Sequence, residues 1–397
     1  MLFHLLAKPT GAVCNLNCKY CFFLSKERLY PGSKFRMTVD TLNSYLRQYI
    51  GGQQGPEVEV AWQGGEPTLM GVDFFRKSVE LAERYKKPGQ RIRYTMQTNG
   101  VLLDDKWCEF FKTHDFLIGL SMDGPENIHN AYRVDKSGKG SFRKVFNGAE
   151  LLKKHDVAVN ILTCVHAANY AHPMEVYRFL RDEVQAEFIQ FIPIVVRKNN
   201  TGFQEGDTVT EHSIGGMAYG SFLNSVFDEW VRHDVGRVFV QIFDVSLGSW
   251  LGAPPSLCIF ADACGHALAL EHNGDLYSCD HFVEPKYRLG NIGENGMAGL
   301  VTSAKQKVFG HDKKKKLPEY CRQCEVGQRC RGGCPKNRFI KTPDGEAGLN
   351  YLCEGYRSFF THIDRPMKTM AQLLKTGQPP ARIMEIIARE DAGKGGN

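Results

Sequence analysis

A chain of 397 residues is too long for one small domain and predicts a large domain followed by a smaller one. Hydrophobic residues make up 42% and charged residues 24%, a globular balance that excludes a disordered or collagen-like chain. Fifty basic against 44 acidic residues leave a net charge of +6, too mild an excess to point to nucleic acid.

Short runs rich in β-branched and aromatic residues predict strands at Phe3–Thr10, Glu57–Gln63, Arg91–Asn99, Phe116–Gly124, Val157–His166 and Phe188–Val195. Helical stretches alternate with them: Thr38–Ile50, with Thr38 as its cap, then Val72–Lys86, Asp104–Thr113, Ser141–His155 and Pro173–Val184. This alternation predicts an α/β fold with a parallel sheet. Six units are too few for an eight-unit barrel, so a partial (β/α)6 TIM-like barrel is expected, with its chemistry at the C-terminal ends of the strands. Thr201–Gly215 reads as a polar loop and Met217–His233 as a helix. Beyond that helix the segments shorten and Gly, Pro and Cys accumulate. A barrel over residues 1–235 and a small, metal-stapled domain over 236–397 are therefore expected. Arg365–Asp391 reads as helical, Ala392–Asn397 as a frayed end, and the run Lys313–Lys316 as a solvated loop. No stretch reaches the roughly 20 apolar residues of a membrane span. The run from Met1 to Pro9 is too short in apolar residues for a signal peptide. A cytoplasmic monomer with no membrane or nucleic-acid partner is expected.

Thirteen cysteines are many for such a protein. In a reducing compartment they are not expected to be disulfides, and an odd number cannot all pair. Cys14, Cys18 and Cys21 read C-x3-C-x2-C directly after the first strand. Three thiolates can hold three corners of a [4Fe–4S] cube and leave one iron open to a ligand. A zinc site borrowing a distant fourth ligand is the alternative. Gly64-Gly65-Glu66-Pro67 follows the second strand, where two glycines allow a ligand close to the backbone. Eight further cysteines, Cys258, Cys264, Cys279, Cys321, Cys324, Cys330, Cys334 and Cys353, suffice for two fully ligated clusters; structural zinc is the competing reading. Cys108 and Cys164 remain as ordinary buried thiols.

The cysteine loop, with Tyr20 before its last cysteine, and the Gly64–Pro67 turn together resemble the radical S-adenosylmethionine (SAM) enzymes. The resemblance implies SAM bound to the open iron and cleaved by one electron to a 5′-deoxyadenosyl radical. It implies cofactor contacts from Tyr20, from Gly64, Gly65 and Glu66 (methionyl amine), Ser121 (ribose), Arg133 (carboxylate) and Val195 (adenine). The later cysteines are similar to the SPASM extension of these enzymes. By that similarity Cys258, Cys264, Cys279 and Cys334 hold a first auxiliary [4Fe–4S] cluster, and Cys321, Cys324, Cys330 and Cys353 a second, three clusters in all.

Ser278–Val283 resembles the corresponding stretch of anaerobic sulfatase-maturating enzymes. That implies oxidation of a cysteine or serine to Cα-formylglycine in a sulfatase polypeptide bearing a Cys/Ser-x-Pro-x-Arg motif. The radical would take hydrogen from the target Cβ, Asp280 would remove the thiol or hydroxyl proton as general base, and an electron would pass to the first auxiliary cluster. Gln63 and His281 are candidate substrate contacts. A flavodoxin- or ferredoxin-type protein is the expected electron donor. A different SPASM maturase, one that crosslinks or epimerises another precursor, would share these cofactors. The lack of an evident recognition domain before Cys14 favours the sulfatase reading. An electron-transfer or zinc-binding structural protein would need no SAM pocket.

Overall fold

The computed structural model describes residues 3–394. The six expected strands form as β1 His4–Lys8, β2 Glu57–Trp62, β3 Arg91–Thr98, β4 Phe116–Ser121, β5 Ala158–Val165 and β6 Phe188–Pro193. Each pairs in parallel with the next. Helices intervene at Val39–Gly52, Val72–Tyr85, Asp105–Thr113, Phe142–Lys154 and Pro173–Arg178, the last continuing as a π-helical turn over Phe179–Glu183. Thr38 and Asp104 cap two of them, their side chains accepting from the amides of Thr41 and Trp107. A seven-residue helix, Glu126–Tyr132, is too short to show a periodic pattern in the sequence.

The sheet does not stop at the sixth strand. β7, Phe239–Val240, adds in parallel to β6, and β8, Ala267–Glu271, pairs in parallel with β1 on the other side. β9, Asp275–Tyr277, and β10, Arg288–Asn291, extend that side antiparallel, giving a ten-stranded sheet. β1 is thus an interior strand with both edges covered, which suits its fully buried Leu5 and Ala7. The strands that complete it come from the region beyond residue 235. One apolar core likewise joins Leu5, Trp62 and Phe111 to Phe260, Phe359 and Met370. The helix Cys353–His362 packs on the helix Gly216–His233 through glycines: a Cβ on Gly355 would lie 2.0 Å from the Gly216 carbonyl oxygen.

Three local expectations are corrected. Arg365–Asp391 is two helices, Asp364–Lys375 and Ile383–Lys394, separated by a turn containing Pro379 and Pro380. The expected fraying at Ala392–Asn397 does not begin by Lys394, where the last helix still runs; residues 395–397 lie outside the described residues. Lys313–Lys316 closes a helix instead of forming a loop, with Lys314–Lys316 exposed as expected and Lys313 not. Lys313 lies in the helix Ala304–Lys315 and is 2% exposed, because its chain turns inward to backbone carbonyls. Among the described residues no helix is long and apolar enough to cross a membrane. A two-stranded hairpin, β11 Arg338–Lys341 and β12 Ala347–Asn350, stands apart from the large sheet.

Candidate active site

β1 ends at Lys8 and leads directly to the loop that carries Cys14, Cys18 and Cys21. The Gly64–Pro67 turn after β2 is laced to this loop. The Gly65 amide donates to the Gly11 carbonyl at 2.8 Å and the Glu66 amide to the Val13 carbonyl at 3.0 Å. A Cβ on Gly65 would lie 2.0 Å from the Val13 oxygen, so only glycine allows this approach. Gly64 has φ of +128°, again a glycine conformation. Glu66 is fully enclosed. Its carboxylate accepts from the Thr68 amide and hydroxyl, the Thr98 hydroxyl and the Asn99 amide at 2.7–3.0 Å, and so braces the turn. Asn99 also lies 3.6 Å from the Cys14 sulfur through its Nδ2.

A second network forms behind the cysteine loop, around Asp123. This residue follows β4 and the predicted Ser121, which is itself buried. The Tyr20 hydroxyl donates to Asp123 Oδ2 at 2.6 Å, Arg133 Nε lies 2.9 Å from it, and His166 Nε2 lies 3.4 Å away. Burial alone would raise the Asp123 carboxyl; Arg133 and His166 outweigh it and hold the group far below the usual carboxylate range. The Arg133 guanidinium also sits 5.6 Å from the Tyr20 ring centre and its Nη2 3.8 Å from the Cys164 sulfur. Val195, just past β6, is buried, and its carbonyl faces the Lys336 ammonium at 3.5 Å.

Asp280 completes the mouth of the sheet. It follows Cys279 beyond β9 and is 8% exposed. Its Oδ1 forms an ion pair with Lys8, which is 1% exposed. Lys8 also donates to Gln63 Oε1 at 3.1 Å and lies 4.1 Å from the Phe23 ring centre, while Gln63 donates to Gln97 at 2.6 Å. Burial opposes the charge on Asp280, but Lys8, with Lys336 nearby, holds its carboxyl below the usual range. His281 packs on Phe22 with ring centres 5.4 Å apart. Burial and the Lys336 charge push its imidazole down to about 3, so the ring is neutral, and its Nδ1 has no partner. The expected polar loop crosses this region. Lys26 donates to the Gly202 carbonyl, and the Gln204 amide donates to Glu284 at 2.7 Å.

All thirteen cysteines are free. The eight later ones fall into two neighbourhoods by the charges each thiol feels. Cys258, Cys264 and Cys279 each feel Cys334. Cys330 and Cys353 each feel Cys321 and Cys324. Cys321, Cys324, Cys330 and Cys353 also line one small cavity. Cys334 thus neighbours Cys258, Cys264 and Cys279 although it follows Cys330 in the chain, a proximity that linear spacing does not reveal. Burial pushes the thiols up, Cys14 and Cys353 to about 11 and Cys18, Cys264 and Cys330 to about 12. Such groups ionise only against strong positive charge, which iron supplies. Among the described residues no three His, Cys, Asp or Glu side chains converge as a single metal ion requires. Donor sets made of cysteine alone, three in the first loop and four in each later neighbourhood, fit iron–sulfur clusters.

Residues 9–180 match the radical SAM superfamily, and residues 258–325 an iron–sulfur cluster-binding domain. A serine-type anaerobic sulfatase-maturating enzyme of Bacteroides thetaiotaomicron is 43% identical over 97% of this chain and 95% of its own. The chain belongs to the anaerobic sulfatase-maturating enzymes. It is therefore an enzyme that uses SAM and [4Fe–4S] clusters. A cysteine-type maturating enzyme of Clostridium perfringens is 35% identical, covering 94% of this chain and 99% of that one. The solved structure of native anSMEcpe with bound AdoMet and Kp18Cys peptide has a TM-score of 0.84 at 33% identity, over 93% and 99% of the two chains. Streptococcus suis SuiB bound to S-adenosylmethionine, at 16% identity, TM-score 0.59 and coverage of 89% and 75%, shares the fold alone.

In this maturating-enzyme site several central residues lie outside the familiar motifs. Lys8, Gln97, Asp123 and Lys336 have no spacing signature. Lys8 carries one local signal: it is a charge at the end of an otherwise apolar strand, Leu5-Leu6-Ala7-Lys8.

Proposed function

We propose that this enzyme oxidises a cysteine or serine of a sulfatase polypeptide, within a Cys/Ser-x-Pro-x-Arg motif, to Cα-formylglycine. The observation that carries this reading is Asp280: a buried, ionised carboxylate, paired with Lys8 and adjacent to Cys279. Cys14, Cys18 and Cys21 hold one cluster, and the two later sets of four hold the others. Bound there, SAM and the clusters would supply a 5′-deoxyadenosyl radical able to take hydrogen from the target Cβ and an acceptor for the electron left behind.

The chain's own groups do the rest. Gly64 and Gly65 open the backbone to the methionyl amine, and Glu66 fixes their turn. Arg133, held by Asp123, presents a cation for the SAM carboxylate, with Tyr20 packed against it. Ser121 and the Val195 backbone receive the ribose and the adenine. Asp280 takes the thiol or hydroxyl proton, and Lys8 keeps that carboxylate ionised until it does. Gln63 and the unpartnered Nδ1 of His281 face the target side chain. The division at residues 235 and 236 separates the SAM-binding half from the auxiliary half. A flavodoxin- or ferredoxin-type carrier supplies electrons, and the protein acts as a cytoplasmic monomer.

The test is anaerobic incubation of reconstituted enzyme with SAM, a reductant and synthetic Cys-x-Pro-x-Arg or Ser-x-Pro-x-Arg peptides. Mass spectrometry should show an aldehyde-bearing peptide together with 5′-deoxyadenosine. Deoxyadenosine with both peptides unaltered would rule out this substrate class.

A further inference from the structure

Two cations outside the proposed chemistry sit beside the auxiliary cysteines, Lys313 buried and Arg338 half-buried. Lys313 Nζ donates to the carbonyls of Cys258 at 2.5 Å and Ile259 at 2.9 Å. Arg338, at the start of β11, donates through its guanidinium to the carbonyls of Lys313 at 2.5 Å, Arg331 at 2.8 Å and Gly332 at 2.9 Å. Residues 331–333 link Cys330 of one set to Cys334 of the other. The guanidinium is thus bound on one side to the segment joining the two sets. On its other side it holds the helix end whose Lys313 fixes the Cys258 loop.

The thiols around each cation divide the same way. Arg338 feels Cys321 and Cys330 of one set and Cys264 and Cys334 of the other. Lys313 feels Cys264, Cys334 and Cys258, all of one set. Among the described residues neither cation is ion-paired with a carboxylate. A cation drawn even partly out of water without an anion is costly, and a thiolate-ligated cluster is the anion this arrangement awaits.

We propose that Arg338 is a positioning residue for electron transfer, its fixed charge raising the reduction potential of both auxiliary clusters, and that Lys313 adds the same bias to the first alone. This rests on the reading of the eight cysteines as two cluster sites. The electron bookkeeping is simple. In the proposed reaction the target would give up a hydrogen atom to the SAM-derived radical, a proton to Asp280 and one electron to the first auxiliary site, whose cluster would gain that electron. Reduction adds negative charge, so a nearby cation stabilises the reduced form more than the oxidised one, and low-dielectric surroundings enlarge the effect. A guanidinium keeps its charge at any physiological pH.

The test is a potentiometric titration of anaerobic, full-length holoenzyme followed by electron paramagnetic resonance, with iron content measured on every sample. Arg338→Gln should lower both auxiliary midpoints. A tenfold fall in the reduced-to-oxidised ratio at fixed poise is expected, about 59 mV for a one-electron couple. Arg338→Lys should restore most of it, and Lys313→Gln should lower one midpoint only. Unchanged midpoints in Arg338→Gln with full iron content would overturn the proposal. Should that variant lose its iron, Lys313→Gln decides, and an unmoved midpoint there overturns it. Wild-type protein with roughly four irons and zinc in the later sites would instead sink the two-cluster reading itself.

Discussion

Lysine is rarely enclosed at the end of an apolar strand unless an anion meets it. Lys8 meets Asp280, and the pair ties β1 to the segment that carries Cys279. Removing one partner leaves the other as an uncompensated buried charge, which costs about 3–5 kcal/mol. Lys8→Met should therefore lower the melting temperature measurably and cut aldehyde formation. It should also move the acid limb of kcat/KM upward. In the native enzyme the Asp280 carboxyl is held below its ordinary value, so the base stays ionised as pH falls through the usual carboxylate range. The same sign holds for stability: the pair's contribution is present above the ordinary aspartate value and is lost only as pH falls through the depressed one. Without Lys8, burial dominates and the carboxyl rises. A pH–rate profile of Lys8→Met with the wild-type acid limb would remove Lys8 from this role. Asp280 was legible in the sequence because it neighbours a ligand cysteine in a recognisable segment. Lys8 was not, because its partner lies far along the chain and the contact exists only once β8 pairs with β1.

At the scale of elements, the short motifs were readable because their physics is local. The C-x3-C-x2-C loop and the Gly64–Pro67 turn each follow a strand, and the folded chain then laces them together through Gly11 and Val13. Gly65→Ala would drive a Cβ into the Val13 carbonyl, overpacking that costs about 1–3 kcal/mol. The variant should lose SAM cleavage and retain less iron at the first site, by iron analysis and deoxyadenosine assay; normal values would show the close approach to be dispensable. The C-terminal helices were misread for the converse reason. Apolar periodicity continues on both sides of Pro379 and Pro380, so a break set by two residues was submerged in the pattern. Four consecutive lysines look solvated in sequence, and only tertiary packing singles out Lys313.

At the scale of the molecule, the expected two-part chain has a continuous sheet and a shared core. Parallel strands and alternating helices could be read from sequence. The closure of β8 on β1 could not, since short strands far apart carry no register signal. One consequence is that the auxiliary half is joined to the SAM-binding half through that sheet and core, as Asp280 requires. Anaerobic holoenzyme should contain about twelve irons per chain. Cys258→Ala and Cys334→Ala should perturb the same paramagnetic signal, and Cys330→Ala a different one. Loss of the same signal by Cys330→Ala and Cys334→Ala would contradict the two neighbourhoods.

The most direct test of the account is Asp280→Asn in the full-length holoenzyme, with deoxyadenosine and peptide aldehyde quantified in the same anaerobic reaction. Deoxyadenosine formation should persist while aldehyde yield falls by about 10²–10⁴-fold, the usual contribution of a positioned base. Aldehyde produced in wild-type proportion to deoxyadenosine would contradict the assignment of Asp280 as the group that takes the proton.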